Sequence, residues 1–569
     1  MEEAQRDKLL SEEPLLENSA ERRSERIIDI KGVKYHTADS WRACIYILVT
    51  ECFEELAYYG IQFNLVTFLK TVLHENNVTA ARNYTNWQGT CYIAPLIGAI
   101  IADSYLGRYL TTVAFFIVYL VGMAAMSISA SFPTCAGPDC LHDGYSKSFV
   151  FFLGLYMMAI GAGGIKPCVS SFGADQFDDS IPAERLRKDS FFNWFFFAIY
   201  IGSFVSGTAV VWVQDHYGWV VGLGIPTLFI AFAIASFVLG SSSYRVQKPL
   251  GSPIVRVLQV IVAATRKWAV RVPHDDSLLH EAPEEASMVD GHKLQHTPEL
   301  RFLDKAAMIS STEELSDSNP WRLCTVTQVE ELKVVIGMLP VWASGIVFFA
   351  VLAQFSSTFL EQGRTMNKHV GAFAIPPASL ASFYAVSVLI WVPVYDRVLV
   401  PVARRLTGNA RGISELQRFG AGLLLSVLVM TAAALVETRR LASSAHGEGQ
   451  SSMSILWQIP QYFLVGASVV FACVGQTEFF YNEAPPSMRS LCSALALLTV
   501  ALGSYVSSLV VTAVAWLTTR GGRPGWIPDD LDDGHLDRFF WLLAAMSALN
   551  LAVFVCCARC YKSKRKSVS

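Results

Sequence analysis

The sequence predicts an all-α polytopic membrane protein whose twelve transmembrane helices form two bundles of six, and three observations predict it. Hydrophobic residues make up 52% of the 569 and charged residues only 16%, where a soluble domain carries about a quarter charged. Apolar stretches long enough to cross about 30 Å of hydrocarbon recur along the whole chain. A polar connection from 242 to 330 divides them into two sets of six.

The first set runs at roughly 42–69, 84–104, 108–130, 148–171, 191–213 and 219–240, the second at roughly 331–359, 377–396, 416–437, 454–482, 490–516 and 538–560. The predicted organisation is a cytoplasmic tail (1–40), an N-terminal bundle (41–241), a cytoplasmic linker (242–330), a C-terminal bundle (331–561) and a short cytoplasmic tail (562–569). Lys and Arg gather in the even-numbered connections: Arg108; Arg185, Arg187 and Lys188; Arg397, Arg404, Arg405 and Arg411; and Arg489. Lys562, Lys564, Arg565 and Lys566 follow the last stretch, so both ends and the linker are placed in the cytoplasm. The opposite loops carry glycosylation sequons at Asn77 and Asn83. Within the linker, residues 252–268 (SPIVRVLQVIVAATRKW) have helical apolar spacing with interleaved basic residues. That helix either lies on the membrane surface or packs as an ordinary linker helix.

A net charge of −3 with no continuous basic face argues against nucleic-acid binding. The twelve cysteines are scattered without metal-ligand spacing. Cys135 and Cys140 fall in a non-cytoplasmic loop, where they form either a disulfide or two free thiols. Residues 1–40 lack the apolar core of a cleavable signal peptide. No nucleophile elbow, Walker loop, zinc-protease or dinucleotide motif occurs, so neither an enzyme nor a cofactor or metal is expected. The expected partners are the lipid bilayer, protons and a small-molecule substrate.

Charges inside apolar helices are functional by default, because each would cost several kcal/mol facing lipid. The first stretch contains ECFEE, residues 51–55. Glu51, Glu54, Glu55, Tyr58 and Gln62 recur at three- and four-residue spacing and share a helix face. Stacked carboxylates resist ionising together, which marks the cluster as a candidate proton acceptor. Lys166 is the second such charge, either a substrate contact or a structural partner of a nearby carboxylate.

GAIIADSYLGRY (98–109) ends the second stretch, and its Asp103, Gly107 and Arg108 resemble the cytoplasmic gate motif of the major facilitator superfamily. Further stretches are LAYYG (56–60), NWQGTCYIAPLIGA (86–99), GAGGIKPCVSSFGADQFDD (161–179), FFNWFFFAIYIGS (191–203), LCTVTQVEELK (323–333), WQIPQYF (457–463) and MRSLCSALALLT (488–499). Together they resemble the proton-coupled oligopeptide transporter family, in its plant nitrate and peptide transporter branch and most like the di- and tripeptide members. The resemblance implies the major facilitator fold and proton-coupled symport of di- or tripeptides, or a related small nitrogenous metabolite, by alternating access. It also implies that Glu51, Glu54, Glu55 and Lys166 couple protons, that Lys166 meets a substrate anion, and that Tyr58, Tyr59, Gln62, Tyr92 and Tyr200 line the substrate site.

Three anchors depart from that family's pattern. Glu55 stands where E-x-x-E-R/K has a base, Val469 where the tenth helix has an acid for a peptide amino group, and Tyr200 where I-N-x-G has Asn. Lys166 is thereby expected to pair with Glu55. Leu352 replaces the histidine of a nitrate-handling relative, which disfavours nitrate. A carrier with altered coupling, or a sensor that binds without transporting, remains the alternative. Leu9-Leu10 and Leu15-Leu16 beside acids resemble vacuolar sorting signals, leaving plasma and vacuolar membranes both open.

Overall fold

The computed structural model describes residues 27–28, 40–75, 77–132, 141–178, 181–247, 249, 251–268, 279–280, 294–309, 319–370, 373–375, 377–408, 412–444, 453–519, 525–528 and 531–561. Cys135, Cys140, Arg411, the leucine pairs and the basic C-terminal tail lie outside these residues.

Twelve long helices occur among the described residues: α1 (Ser40–Gln62), α2 (Asn77–Ile101), α3 (Gly107–Ser131), α4 (Leu141–Ala174), α5 (Pro182–Val205), α6 (Trp219–Leu239), α7 (Val326–Leu352), α8 (Ala381–Val394), α9 (Glu415–Ser444), α10 (Ile459–Glu483), α11 (Arg489–Thr518) and α12 (Leu536–Cys560). Ten helical runs are long and apolar enough to cross a bilayer. One of them, Asn86–Ser131, holds both α2 and α3, which part at Gly107, where φ is 75°. A side chain would be strained there. The remaining spanning helix is α1, whose apolar run is interrupted by the three glutamates. The protein is an integral, multi-pass membrane protein of the major facilitator fold.

Helices α1–α6 pack with one another, as do α7–α12, and the two sets meet through α2 and α4 against α11 and through α5 against α8 and α10. In the first set Phe116, Tyr119, Met158 and Phe172 are buried together; in the second, Phe348, Val388, Phe419 and Val470 are. Lipid supplies no hydrophobic drive between helices, so close approach at small residues sets the packing. A Cβ on Gly98 of α2 would lie 2.3 Å from the Gly163 carbonyl of α4. That carbonyl also loses its helical donor, because Pro167 has no N–H.

The helices differ from the predicted stretches chiefly at their polar ends. α5 begins at Pro182, and its first turns carry Glu184, Arg185, Arg187 and Lys188; a count of apolar residues cannot register turns that project beyond hydrocarbon. α7 begins at Val326 because Thr325 and Gln328 form a capping box, each side chain bonding the other's backbone N–H at 3.2 Å. The predicted first stretch, 42–69, is corrected: α1 ends at Gln62, and a separate short helix spans Leu65–Thr71. Asn64 makes the break, donating from Nδ2 to Gln214 Oε1 and Asp215 Oδ1, each at 3.1 Å.

The linker helix, Pro253–Arg266, is capped by Ser252, whose hydroxyl accepts from the Val255 N–H. Val260 and Ala263 pack against Leu303, Ala306 and Leu332, while Ile254, Leu258 and Ile261 remain exposed. The linker docks on α7 through buried charge. Lys333 Nζ lies 2.6 Å from Asp304 Oδ1 and 2.8 Å from Glu330 Oε1, and it donates to the Thr297 carbonyl. His296 bonds the other Asp304 oxygen at 3.0 Å. Replacing Lys333 with Ala strands two buried carboxylates, a loss of about 3–5 kcal/mol for a buried pair. The Lys333→Ala protein is expected to melt lower in detergent and to be cut faster in the linker by limited proteolysis; an unchanged cleavage rate would show that the linker docks by its apolar contacts alone.

Candidate functional site

α1 and α4 bring the intramembrane charges together. Lys166 Nζ donates to Glu55 Oε1 at 2.7 Å and reaches Glu54 Oε2 at 3.5 Å. Glu51, Glu54 and Glu55 are all buried, with oxygens within 4.8 Å of one another. A cation could bridge such oxygens; here the lysine ammonium takes that role. Among the described residues, Glu51 Oε2, Glu54 Oε1 and Glu55 Oε2 have no hydrogen-bond partner. An unpaired buried carboxylate oxygen is costly if charged, so three acids around one lysine are balanced only when two of them hold protons.

The ammonium also sits 4.3 Å from the Tyr58 ring centre, a cation–π contact in a desolvated place. Tyr58 is held by stacking on Trp87 of α2, with ring centres 5.6 Å apart, and Tyr59 packs edge-on to it. One turn further along, Gln62 Nε2 donates to the Tyr84 hydroxyl at 3.2 Å. Tyr92 is half-buried on α2. Tyr200 of α5 stands on the boundary between halves, its hydroxyl bonded to that of Tyr384 on α8 with the rings at 88°. Val469 is buried among apolar residues of the second half, so α10 presents no acid at that point. Leu352 is half-buried at the end of α7.

The residues expected to form a gate meet the second half at one end of the molecule. Arg108 pairs with Asp175, lies 3.5 Å from Asp103, and donates from Nε to Ser490 Oγ at 2.8 Å. Asp103 accepts the Leu491 N–H at 3.1 Å. Asp175 also accepts from Arg489 at 3.0 Å and from the Tyr481 hydroxyl at 2.5 Å. Ser171 and Ser493 hydrogen-bond at 2.8 Å just inside. α2, α3 and α4 are thus tied to α10 and α11. Gly107 is what lets Asp103 and Arg108 lie on opposite sides of one tight break.

Sequence reasoning missed half of this lock. Asp175 and Ser490 lay inside quoted motifs without a role, Arg489 counted only as a cytoplasmic charge, and Tyr481 went unremarked. An acid and an arginine at the ends of apolar helices, neither with a partner in its own helix, were the available signal. A second tie was missed entirely. Asp396 accepts from Ser190 at 3.1 Å and Asn193 at 3.0 Å, and Arg418 donates to Asn193 at 2.7 Å and Glu478 at 3.3 Å. Beside it a cavity of about 620 Å³ is lined by Trp41, Asn193, Tyr395, Asp396 and Arg418.

The model of the POT family (PTR2) matches residues 109–527. The chain is 54% identical to "Protein NRT1/ PTR FAMILY 8.3" of Arabidopsis thaliana over 541 residues, 93% of this chain and 92% of that one. It is 52% identical to "Protein NRT1/ PTR FAMILY 8.1" of the same plant, over 92% of this chain and 94% of the other. Among solved structures, the POT family transporter PepTSo superposes with a TM-score of 0.62 at 24% identity, covering 91% of this chain and 98% of that one. A peptide transporter POT in complex with alafosfalin superposes with a TM-score of 0.57 at 16% identity, over 91% and 95%. These two distant structures show the fold.

Removing the Arg108 guanidinium leaves Asp103 buried without its cation, leaves Asp175 with Arg489 alone, and breaks the bond to Ser490 of the other half, which favours separation of the ends. A cysteine placed by Ser493→Cys is expected to react with a cytoplasmic maleimide about tenfold faster or more when combined with Arg108→Ala. Equal rates would mean that the Arg489 and Tyr481 contacts hold this end shut by themselves.

Proposed function

The chain belongs to the POT family, and from that premise we propose that it is a proton-coupled symporter that moves di- or tripeptides, or a related small amphoteric nitrogenous metabolite, by alternating access between its two six-helix halves (41–241 and 331–561). One observation carries the reading: the buried Glu54–Lys166–Glu55 arrangement, with acid in excess of base and carboxylate oxygens left unpartnered. Such a cluster changes its proton content whenever Lys166 changes partner. A substrate carboxylate that takes the ammonium from Glu55 leaves that acid uncompensated, and a proton from solvent resolves it. Substrate and proton are therefore loaded together, and sharing one lysine is the physical basis of symport.

Tyr58, Tyr59, Gln62, Tyr92 and Tyr200 are proposed to line the substrate's path. Their hydroxyls and amide donate and accept without fixing one side chain of a peptide. With Val469 in place of an acid, a substrate ammonium finds its countercharge in the glutamates of α1. Amphoteric solutes gain from that arrangement, and simple anions, nitrate included, lose. The protein's work is movement of solute and not catalysis; its partners are the substrate, protons and the bilayer, with no nucleic acid.

Reconstituted vesicles test this directly. Accumulation of a labelled peptide is expected to rise as the pH on the loading side falls, because protonated carboxyls are the loaded form. Glu51→Gln or Glu54→Gln should abolish gradient-driven accumulation and leave exchange of internal for external substrate partly intact. Accumulation indifferent to an imposed pH gradient would sink the coupling. A protein that binds peptide yet neither accumulates nor exchanges it would be a sensor.

A further inference from the structure

The cysteines of this chain divide sharply by exposure. Among the described residues, Cys44, Cys91, Cys168, Cys324, Cys473 and Cys492 are buried and Cys52 is half-buried. The exposed ones, Cys556 and Cys560, both lie in the last turns of α12, with half-buried Cys557 between them. We propose that Cys556 and Cys560 are S-acylation sites, each carrying a long-chain fatty acyl group in thioester linkage.

Geometry supplies the first argument. Cys556 and Cys560 are four residues apart and share a helix face. That face continues toward the membrane centre through Val553 and Leu549, 51% and 67% exposed. Leu543, Ser547, Asn550 and Phe554 are buried on the opposite side. The two thiols thus end an apolar stripe that faces lipid, and an acyl chain on either sulfur can lie along that stripe without displacing a packed residue.

Position supplies the second. Tyr561, directly after the helix, donates to Glu483 at 3.1 Å and packs on Phe479, which fixes this end of α12 beside the end of α10. The gate residues Tyr481 and Arg489 flank that same turn, so the cysteines lie at the gate end, the face the charge distribution assigns to the cytoplasm. Acyl-CoA is found on that side, and thiols stay reduced there. Arg559 and, in the sequence, Lys562, Lys564, Arg565 and Lys566 flank them; such a basic segment holds the helix end against anionic headgroups. Cysteine beside a membrane and next to basic residues is the setting of reversible S-acylation.

The chemistry balances without a redox step. The cysteine sulfur attacks the acyl carbonyl of a long-chain acyl-CoA, the carbonyl–sulfur bond to coenzyme A breaks, and a new thioester forms on the cysteine. Coenzyme A leaves as its thiol with the proton the cysteine gave up.

Full-length protein from eukaryotic membranes tests the assignment. Free thiols are blocked, thioesters are cleaved with neutral hydroxylamine, and the released thiols are tagged with a maleimide polymer that adds one mass step each. Wild type is expected to show two hydroxylamine-dependent steps. Cys556→Ser and Cys560→Ser should each remove one, and Cys557→Ser none. A wild-type protein without hydroxylamine-dependent steps overturns the proposal. So do steps that survive the double Cys556→Ser, Cys560→Ser change, and so does a non-reducing gel showing these sulfurs consumed in a disulfide.

Discussion

One lysine inside the first bundle faces three carboxylates, and the proposed coupling depends on that inequality. Lys166 bonds Glu55 and reaches Glu54, with Glu51 close behind. In water such a cluster would be unremarkable; inside helices, each uncompensated charge is a large expense. Proton content and lysine position are therefore the same variable seen twice. In the proposed mechanism, a ligand or motion that draws the ammonium away is answered by protonation.

α4 links that variable to the gate. Lys166 and Asp175 are nine residues apart, about 13 Å along a helix, and Ser171 lies between them, bonded to Ser493 of the other half. Pro167 follows the lysine directly, so the helix is weakest where the charge sits. A shift of Lys166 toward a substrate, as proposed, would move an element whose far end carries the acid shared by Arg108, Arg489 and Tyr481. In the proposed mechanism gate and cluster are joined by one helix, so opening would be conditional on the charge state within.

The fold was legible because hydrocarbon thickness imposes a length that apolar residues report directly. What that count could not see were polar interruptions with partners elsewhere. Asn64 ends α1 because Gln214 and Asp215 receive its amide, and those partners lie about 150 residues away in sequence. The acidic cluster was legible from spacing on one helix, and the Lys166–Glu55 pair from the charge reversal at position 55. The Asp175 lock and the Asn193–Arg418–Glu478 tie were not. The first joins residues from four helices and the second from three, and a single helix carries no pattern that names its partners.

The departures from the family pattern bear on where the proposed coupling would reside. A lysine paired with an acid on α10 would carry an ionic link across the two halves, and protonating that acid would release the halves from each other. Val469 abolishes that link, and Glu55 draws Lys166 into a pair contained within the first bundle. Across the centre there remains the neutral Tyr200–Tyr384 hydrogen bond, which protonation of the glutamates does not touch. If the glutamates couple protons as proposed, their influence on the second half would pass along α4 to the charged lock, where Arg489 of the second bundle pairs with Asp175 of the first. In the proposed mechanism the switch and the latch are then separate parts, joined by α4.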